Sequence, residues 1–222
     1  MPIFKLRDDS YAFPDPELAE DNGLLAIGGD LSPVRLLNAY INGIFPWYNE
    51  GEPIMWWCPH ERFVIIPSEI HISKSMKKFI KSTSLRITFD TAFAEVIHSC
   101  RSMRENKEGT WITDDMEEAY NELFMLGFAS SCEVWQDSEL VGGLYGVKIG
   151  RCFFGESMFS KVENASKLAL ISLARELDKN NFEFIDCQLH TDHLESMGGR
   201  YISYNGYITM IERGVDFLGG KS

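Results

Sequence analysis

Two short segments of this 222-residue chain set carboxylates among apolar neighbours. Phe153-Phe154-Gly155-Glu156-Ser157-Met158-Phe159-Ser160 and Phe184-Ile185-Asp186-Cys187-Gln188 both read as strands. Alternate residues of a strand share a face, so Phe154, Glu156 and Met158 are expected to point one way, and Phe184, Asp186 and Gln188 likewise. A buried carboxylate is costly unless it is paired or hydrogen-bonded. Two of them in core strands point to a site whose ionisable groups are tuned by their surroundings. The alternative is a structural hydrogen-bond network at the strand ends.

A second group of residues is aromatic. Gly43-Ile44-Phe45-Pro46-Trp47-Tyr48 is followed by Met55-Trp56-Trp57-Cys58-Pro59, so three tryptophans fall within eleven residues. At least one is expected to fill the core. A tryptophan is also the best side chain for stacking on a nucleobase. Gly109-Thr110-Trp111-Ile112-Thr113 places a further one just before a helix, where it could close a sandwich. Composition alone leaves both uses open.

These residues need elements to hold them. Residues 1–65 are dense in turn signals, among them Phe13-Pro14-Asp15-Pro16, Asn22-Gly23 and Gly28-Gly29-Asp30, and carry one helix starting at Ser32-Pro33. They are expected to form a small domain that contributes a tryptophan to the site, with residues 66–222 forming the catalytic part. There the pattern becomes regular. Leu85–Phe89 reads as a strand, followed by a helix carrying Phe93, Val96, Ile97 and Cys100 and a second from Asp114 to about Leu126. Strands follow over 131–136, 139–148 and 151–159, then a helix over about 163–179, a buried strand over 182–188 and a helix near 192–197. The order β-α-α-β-β-β-α-β-α predicts an α+β protein: a small loop-rich N-terminal domain followed by a domain that resembles the GCN5-related N-acetyltransferase fold.

Composition narrows the function classes. There are 21 basic and 33 acidic side chains, a net charge of −12, and 45% hydrophobic residues. Disorder and collagen-like repeats are excluded, and no apolar run approaches the roughly 18 residues of a membrane-spanning helix. The N-terminal residues lack a signal peptide's apolar core. Cys58, Cys100, Cys132, Cys152 and Cys187 are dispersed without a Cys-x-x-Cys pair, and His60, His71, His98, His190 and His193 show no metal-ligand spacing. A cytoplasmic, metal-free protein is expected. Against the acidic background, residues 73–86 hold Lys74, Lys77, Lys78, Lys81 and Arg86 and no acid. That strip is either a solvated helix face or a contact for a polyanion.

The longer motifs identify a family. Phe13-Pro14-x-Pro16, Asn22-Gly23-Leu24-Leu25-Ala26-x-Gly28-Gly29-Asp30-Leu31-Ser32-Pro33, Gly43-Ile44-Phe45-Pro46-Trp47, Trp56-Trp57-x-Pro59, His71-Ile72-Ser73-x-Ser75-Met76-Lys77, Gly109-Thr110-Trp111-Ile112-Thr113, Leu140-Val141-Gly142-Gly143-Leu144-Tyr145-Gly146-Val147, Gly155-Glu156-Ser157-Met158-Phe159-Ser160, Glu163-Asn164-Ala165-Ser166-Lys167 and Ile185-Asp186-Cys187-Gln188 occur in this order. The chain closely resembles bacterial leucyl/phenylalanyl-tRNA–protein transferases from about residue 10 to 200. Beyond Gly198 it departs, reading Gly199-Arg200-Tyr201-Ile202 where the family has a small residue and a Pro-Arg pair.

The resemblance implies transfer of Leu or Phe, less readily Met, from aminoacyl-tRNA to the N-terminal Arg or Lys of a protein, creating a degradation signal. It implies no cofactor and a monomer. Trp47 and Trp111 would sandwich the terminal adenine, and Leu144, Phe154, Met158 and Leu170, with Tyr120 at the edge, would line the aminoacyl pocket. Asp186 and Gln188 would hold and orient the attacking amine, and Glu156 with Asp186 would attract the cationic N-terminal residue. Lys74, Lys77, Lys78, Lys81 and Arg86 would contact tRNA phosphates. An aminoacyl ester is already activated, so no nucleotide motif is needed, and no Gly-x-x-x-x-Gly-Lys-Ser/Thr occurs. A coenzyme A acetyltransferase is disfavoured because residues 160–167, where its pyrophosphate loop would lie, contain no glycine.

Overall fold

The computed structural model describes residues 3–7, 9–105 and 111–216. Gly109 and Thr110 of the Gly109–Thr113 motif lie outside them. The elements in chain order are β1 (Phe4–Lys5), β2 (Leu24–Ile27), α1 (Pro33–Ile41), β3 (Phe45–Pro46), β4 (Met55–Trp57), β5 (Glu61–Ile65), α2 (Lys74–Ser82), β6 (Arg86–Phe89), α3 (Phe93–Glu105) and α4 (Asp114–Met125). They continue with β7 (Ala129–Gln136), β8 (Glu139–Ile149), β9 (Cys152–Ser160), α5 (Ala165–Lys179), β10 (Phe184–Asp186), α6 (Asp192–Ser196), β11 (Arg200–Ser203) and α7 (Tyr204–Asp216).

Local chemistry starts the helices where expected. Pro33, with its fixed φ and missing N–H, opens α1. Ser73 Oγ accepts from Met76 N at 3.2 Å at the head of α2, and Thr113 Oγ1 does the same for Met116 N at the head of α4. Among the described residues no helix is long and apolar enough to cross a membrane.

The strands form two sheets. The small one has the order β1-β2-β4-β3, and the large one β11-β5-β10-β9-β8-β7-β6. The large sheet is antiparallel except where β10 runs parallel to β9. From β6 to α6 the expected β-α-α-β-β-β-α-β-α order is present. One face of the sheet packs on α5 and on Met76, Phe79 and Ile80 of α2. The other packs on α3, α4 and α7 and on the small domain through Leu36, Tyr40 and Trp56.

Two features depart from the expected outline. A division at residue 65 would assign Glu61–Ile65 to the small domain, but this strand pairs with β10 and β11 in the large sheet. In addition, β11 and α7 follow α6, in the segment where the family motifs stop.

An irregularity in the β8–β9 pairing bears on the site. Tyr145 pairs with Ser157 and Gly146 with Gly155, so Glu156 is the extra residue of a β-bulge. Gly146 makes it possible: a Cβ there would lie 2.2 Å from the Phe154 carbonyl oxygen. The bulge reverses the alternation of β9. Phe153 and Phe154 enter opposite cores, and Phe159 lies on the Phe154 side despite its odd spacing.

Candidate active site

The tryptophans divide their work. Trp56 is fully buried and its Nε1 donates to Gly28 O at 2.8 Å, so it is the core filler of the group. Trp57 donates from Nε1 to Trp47 O at 2.7 Å and packs its ring 5.8 Å from the Trp47 ring. Trp47 itself is 41% exposed. It lines a cavity of about 230 Å³ with Trp111, Phe45 and Pro46 on the walls and Glu156 and Gln188 at its inner end.

A second cavity of about 370 Å³ lies between β9, β10, α5 and α6. Leu144, Met158 and Leu170 line it as expected, joined by Phe153, Leu173 and Ile185. Phe154 and Tyr120 do not line it. The bulge at Glu156 turns Phe154 to the opposite face of the sheet, where its ring packs 5.1 Å from Tyr40 and 5.7 Å from Phe184. Tyr120 is fully buried behind Glu156. The two cavities share Glu156, Cys187, Gln188 and Leu189, so they meet at these residues.

Glu156 sits at this junction in a dense hydrogen-bond set. Tyr40 Oη donates to Oε1 at 2.7 Å, Tyr120 Oη donates to Oε2 at 2.9 Å, and Gln188 Nε2 donates to Oε1 at 3.3 Å. Burial pushes the Glu156 carboxyl up to about 7, against the tyrosine hydrogen bonds that favour its ionised form. Burial and the neighbouring Glu156 charge hold both phenols well above their ordinary range. The carboxyl is therefore poised near neutrality between two un-ionised phenols, a group able to take up a proton at physiological pH.

Asp186 is arranged differently. It is fully buried at the end of β10, and both oxygens are occupied. Arg62 of β5 donates from Nε at 2.9 Å and from Nη2 at 2.8 Å, and Tyr207 of α7 donates from Oη at 2.6 Å. The Gln188 backbone N–H donates to Oδ1 at 2.9 Å. Burial opposes the Arg62 charge, but Asp186 beside it outweighs that cost and holds the guanidinium protonated. The Asp186 charge is thus compensated inside the protein by Arg62, while Asp186 also lines the apolar cavity with Glu156. Gln188 also leaves the strand pattern. It lies beyond β10 with φ 55°, so its side chain reaches Glu156 from a left-handed turn and not from the face it would share with Asp186.

Sequence reasoning missed Arg62, Tyr40 and Tyr207. A signal for the first exists: an arginine inside the apolar run Arg62-Phe63-Val64-Ile65 needs a buried partner by the same logic that singled out Asp186. The tyrosines read as ordinary core residues. Lys74, Lys77, Lys78 and Lys81 are all exposed along α2, and exposed Arg86 lies over the Trp135 ring at 5.3 Å. Of the histidines, His190 Nε2 bonds exposed Glu195 at 2.9 Å, and Asp192 lies close by. Its contacts are those of an ordinary surface pair.

Comparison with known proteins adds the decisive observation. The model of the leucyl/phenylalanyl-tRNA protein transferase family matches residues 64–212, and that of the family's N-terminal domain matches residues 29–60. The chain belongs to the leucyl/phenylalanyl-tRNA–protein transferase family. It is 52% identical to the leucyl/phenylalanyl-tRNA–protein transferase of Desulfatibacillum aliphaticivorans, over 98% of this chain and 93% of that one. It is also 52% identical to the transferase of the same name from Syntrophus aciditrophicus, over 96% of this chain and 89% of the other. Among solved structures, an aminoglycoside acetyltransferase from a soil metagenomic sample matches with a TM-score of 0.37 and 12% identity, covering 62% of this chain and 91% of that one.

Proposed function

We propose that the protein transfers Leu or Phe, and less readily Met, from aminoacyl-tRNA to the N-terminal Arg or Lys of a protein acceptor. The new peptide bond creates an N-terminal degradation signal. The reading is carried by one observation: a tryptophan-walled cavity and an apolar cavity meet at Glu156 and Gln188. An aminoacyl-adenosine end has the matching three parts, an aromatic base, an apolar side chain and an ester between them.

In this reading Trp47 and Trp111 stack on the terminal adenine, contributing about 1–3 kcal/mol per base contact. Leu144, Phe153, Met158 and Leu170 enclose the donor side chain. Apolar walls separate neighbouring side chains by only about 1–3 kcal/mol per methylene, which suits a donor range of several apolar residues. Phe154 and Tyr120 support the pocket from behind without touching its occupant.

The acceptor α-amine has a pKa near 7.7–8.0, so roughly a tenth is neutral at pH 7. Glu156 takes the proton that the amine gives up as its nitrogen bonds the ester carbon. Gln188 orients the amine beside it, and Asp186 anchors that turn. Collapse of the tetrahedral adduct breaks the carbon–oxygen bond to the ribose, and the leaving oxygen takes back the proton that Glu156 accepted from the amine. Lys74, Lys77, Lys78, Lys81 and Arg86 hold tRNA phosphates without reading sequence. No cofactor takes part in the proposed chemistry, and the enzyme works as a cytoplasmic monomer.

The test uses labelled Leu on its tRNA and two peptides that differ only in N-terminal Arg or Ala. Label on the Arg peptide alone, without ATP or coenzyme A, supports the reading. Charged tRNA that binds but labels neither peptide replaces it with a non-catalytic carrier of aminoacyl-tRNA.

A further inference from the structure

The Asp186 carboxylate is the centre of a buried assembly beside the apolar cavity, whose lining includes Asp186. Arg62 meets it through Nε and Nη2, and the guanidinium carbon lies 4.7 Å from the Phe45 ring centroid and 4.8 Å from that of Tyr207. The cation is therefore stacked between two rings while its edge is bonded to a carboxylate. Each ring leads elsewhere. Phe45 belongs to β3, directly before Pro46 and Trp47, and all three line the tryptophan-walled cavity. Tyr207 belongs to α7 and donates its own hydroxyl to Asp186 Oδ2 at 2.6 Å. The opposite carboxylate oxygen, Oδ1, accepts from the Gln188 backbone N–H at 2.9 Å.

That last bond acts on a strained residue. Gln188 has φ 55°, a left-handed conformation that a non-glycine residue adopts only when its surroundings compel it. Release would carry its side chain away from Glu156, which it now reaches at 3.3 Å.

We infer that Arg62 and Tyr207 are positioning residues: acting through Asp186 they hold Gln188 in its left-handed turn against Glu156, and through Phe45 the Arg62 cation also fixes the strand that presents Trp47. Asp186 works as the hub of this assembly. One buried guanidinium thus sets the alignment of the two cavities, with one arm on the reacting groups and the other on the base-stacking wall.

The inference rests on the transferase reading above and has its own signature. The two arms predict different kinetic splits. Tyr207→Phe removes only the hydroxyl bond to Asp186 and keeps the ring, so kcat falls about tenfold while KM for charged tRNA stays within about twofold. Arg62→Lys loses the fork and the stack, so kcat falls and KM rises together.

The decisive measurement is a double-mutant cycle between Tyr207→Phe and Gln188→Ala, read as single-turnover transfer rates. If the hydroxyl acts through Gln188, adding Tyr207→Phe to Gln188→Ala changes the rate less than about twofold. A full additional tenfold loss overturns the inference, because the hydroxyl would then act independently of Gln188. Asp186→Asn, which keeps an acceptor oxygen, serves as the second variant if Tyr207→Phe unfolds. It should likewise lose kcat in the wild-type background and almost nothing in Gln188→Ala, and additive losses there overturn the inference too. Absence of transfer by the wild-type enzyme would instead refute the transferase reading, so the two failures are distinct.

Discussion

The hydroxyl oxygens of Tyr40 and Tyr120 lie 2.5 Å apart while each also bonds Glu156, at 2.7 and 2.9 Å. Three contacts among three groups close a ring, and a closed ring needs three protons. Two un-ionised phenols supply two. The ring is one proton short when Glu156 is ionised and complete when it is protonated. Proton uptake at Glu156 is therefore matched by a hydrogen bond gained, which favours a base at this position.

A pH dependence follows. With its pKa near 7, Glu156 should impose a limb on which kcat/KM rises with pH through about 7. Glu156→Gln should remove that limb, leaving only the titration of the acceptor amine, and lower kcat by about 10²-fold or more. Rate–pH profiles of the two proteins with one acceptor peptide decide it. Stability runs the other way. The folded-state pKa is raised above the ordinary 4.5, so between pH 4.5 and about 7 the folded protein holds a proton that the unfolded chain releases. This group's contribution to stability therefore falls as pH rises, by at most about 1.4 kcal/mol per unit. Glu156→Gln should flatten that slope in denaturant titrations.

Removal of either stacking wall should act on the donor alone. Trp47→Ala and Trp111→Ala should each weaken binding of an aminoacyl-adenosine fragment by about 1–3 kcal/mol. Trp57→Ala should cost less, because that ring braces Trp47 from the side. Equal losses for all three in equilibrium binding would contradict the assignment of the cavity.

The two adjacent phenylalanines should separate cleanly. Phe153 lines the apolar cavity, whereas Phe154 packs among Tyr40 and Phe184 on the other face. Phe153→Leu should shift the Leu-to-Phe transfer ratio severalfold. Phe154→Leu should lower Tm and leave that ratio unchanged. Competition between the two charged tRNAs, together with thermal unfolding, tests both.

Charge reversal on α2 should leave the chemistry intact. Lys77→Glu with Lys78→Glu should weaken tRNA binding and make its salt dependence shallower by about 0.7–0.9 per lost phosphate contact in the log–log slope. A slope equal to wild type removes these lysines from the tRNA path.

Much of this was legible in the amino-acid order. The long periodic segments from residue 86 to 196 show their helices and strands plainly, and their order is the one observed. Five-residue β5 and four-residue β11 are too short for periodicity to announce, and their pairing with each other and with β10 is non-local. In the site, Glu156, Gln188, Trp47 and Trp111 are brought together as their types suggest. Strict two-residue alternation fails at the two places that matter most. A bulge displaces Glu156 and a left-handed turn displaces Gln188, and neither is visible in a pattern of apolar and polar letters. Arg62 shows the same limit. Its role depends on Asp186, 124 residues away, and on Tyr207 in α7.

The place of β5 in the large sheet also governs how the chain can be divided. A fragment starting at residue 66 would keep Glu156, Asp186 and Gln188 yet leave Asp186 buried without its guanidinium. A break just ahead of Glu61 would instead leave the cation–carboxylate pair whole, but would place Trp47 and Tyr40 on one piece and Trp111 and Glu156 on the other. Two separately expressed pieces cut at residues 58–60 would have to meet again through Tyr40 on Glu156 and Phe45 on Arg62, so that pairing the pieces and completing the site become one event.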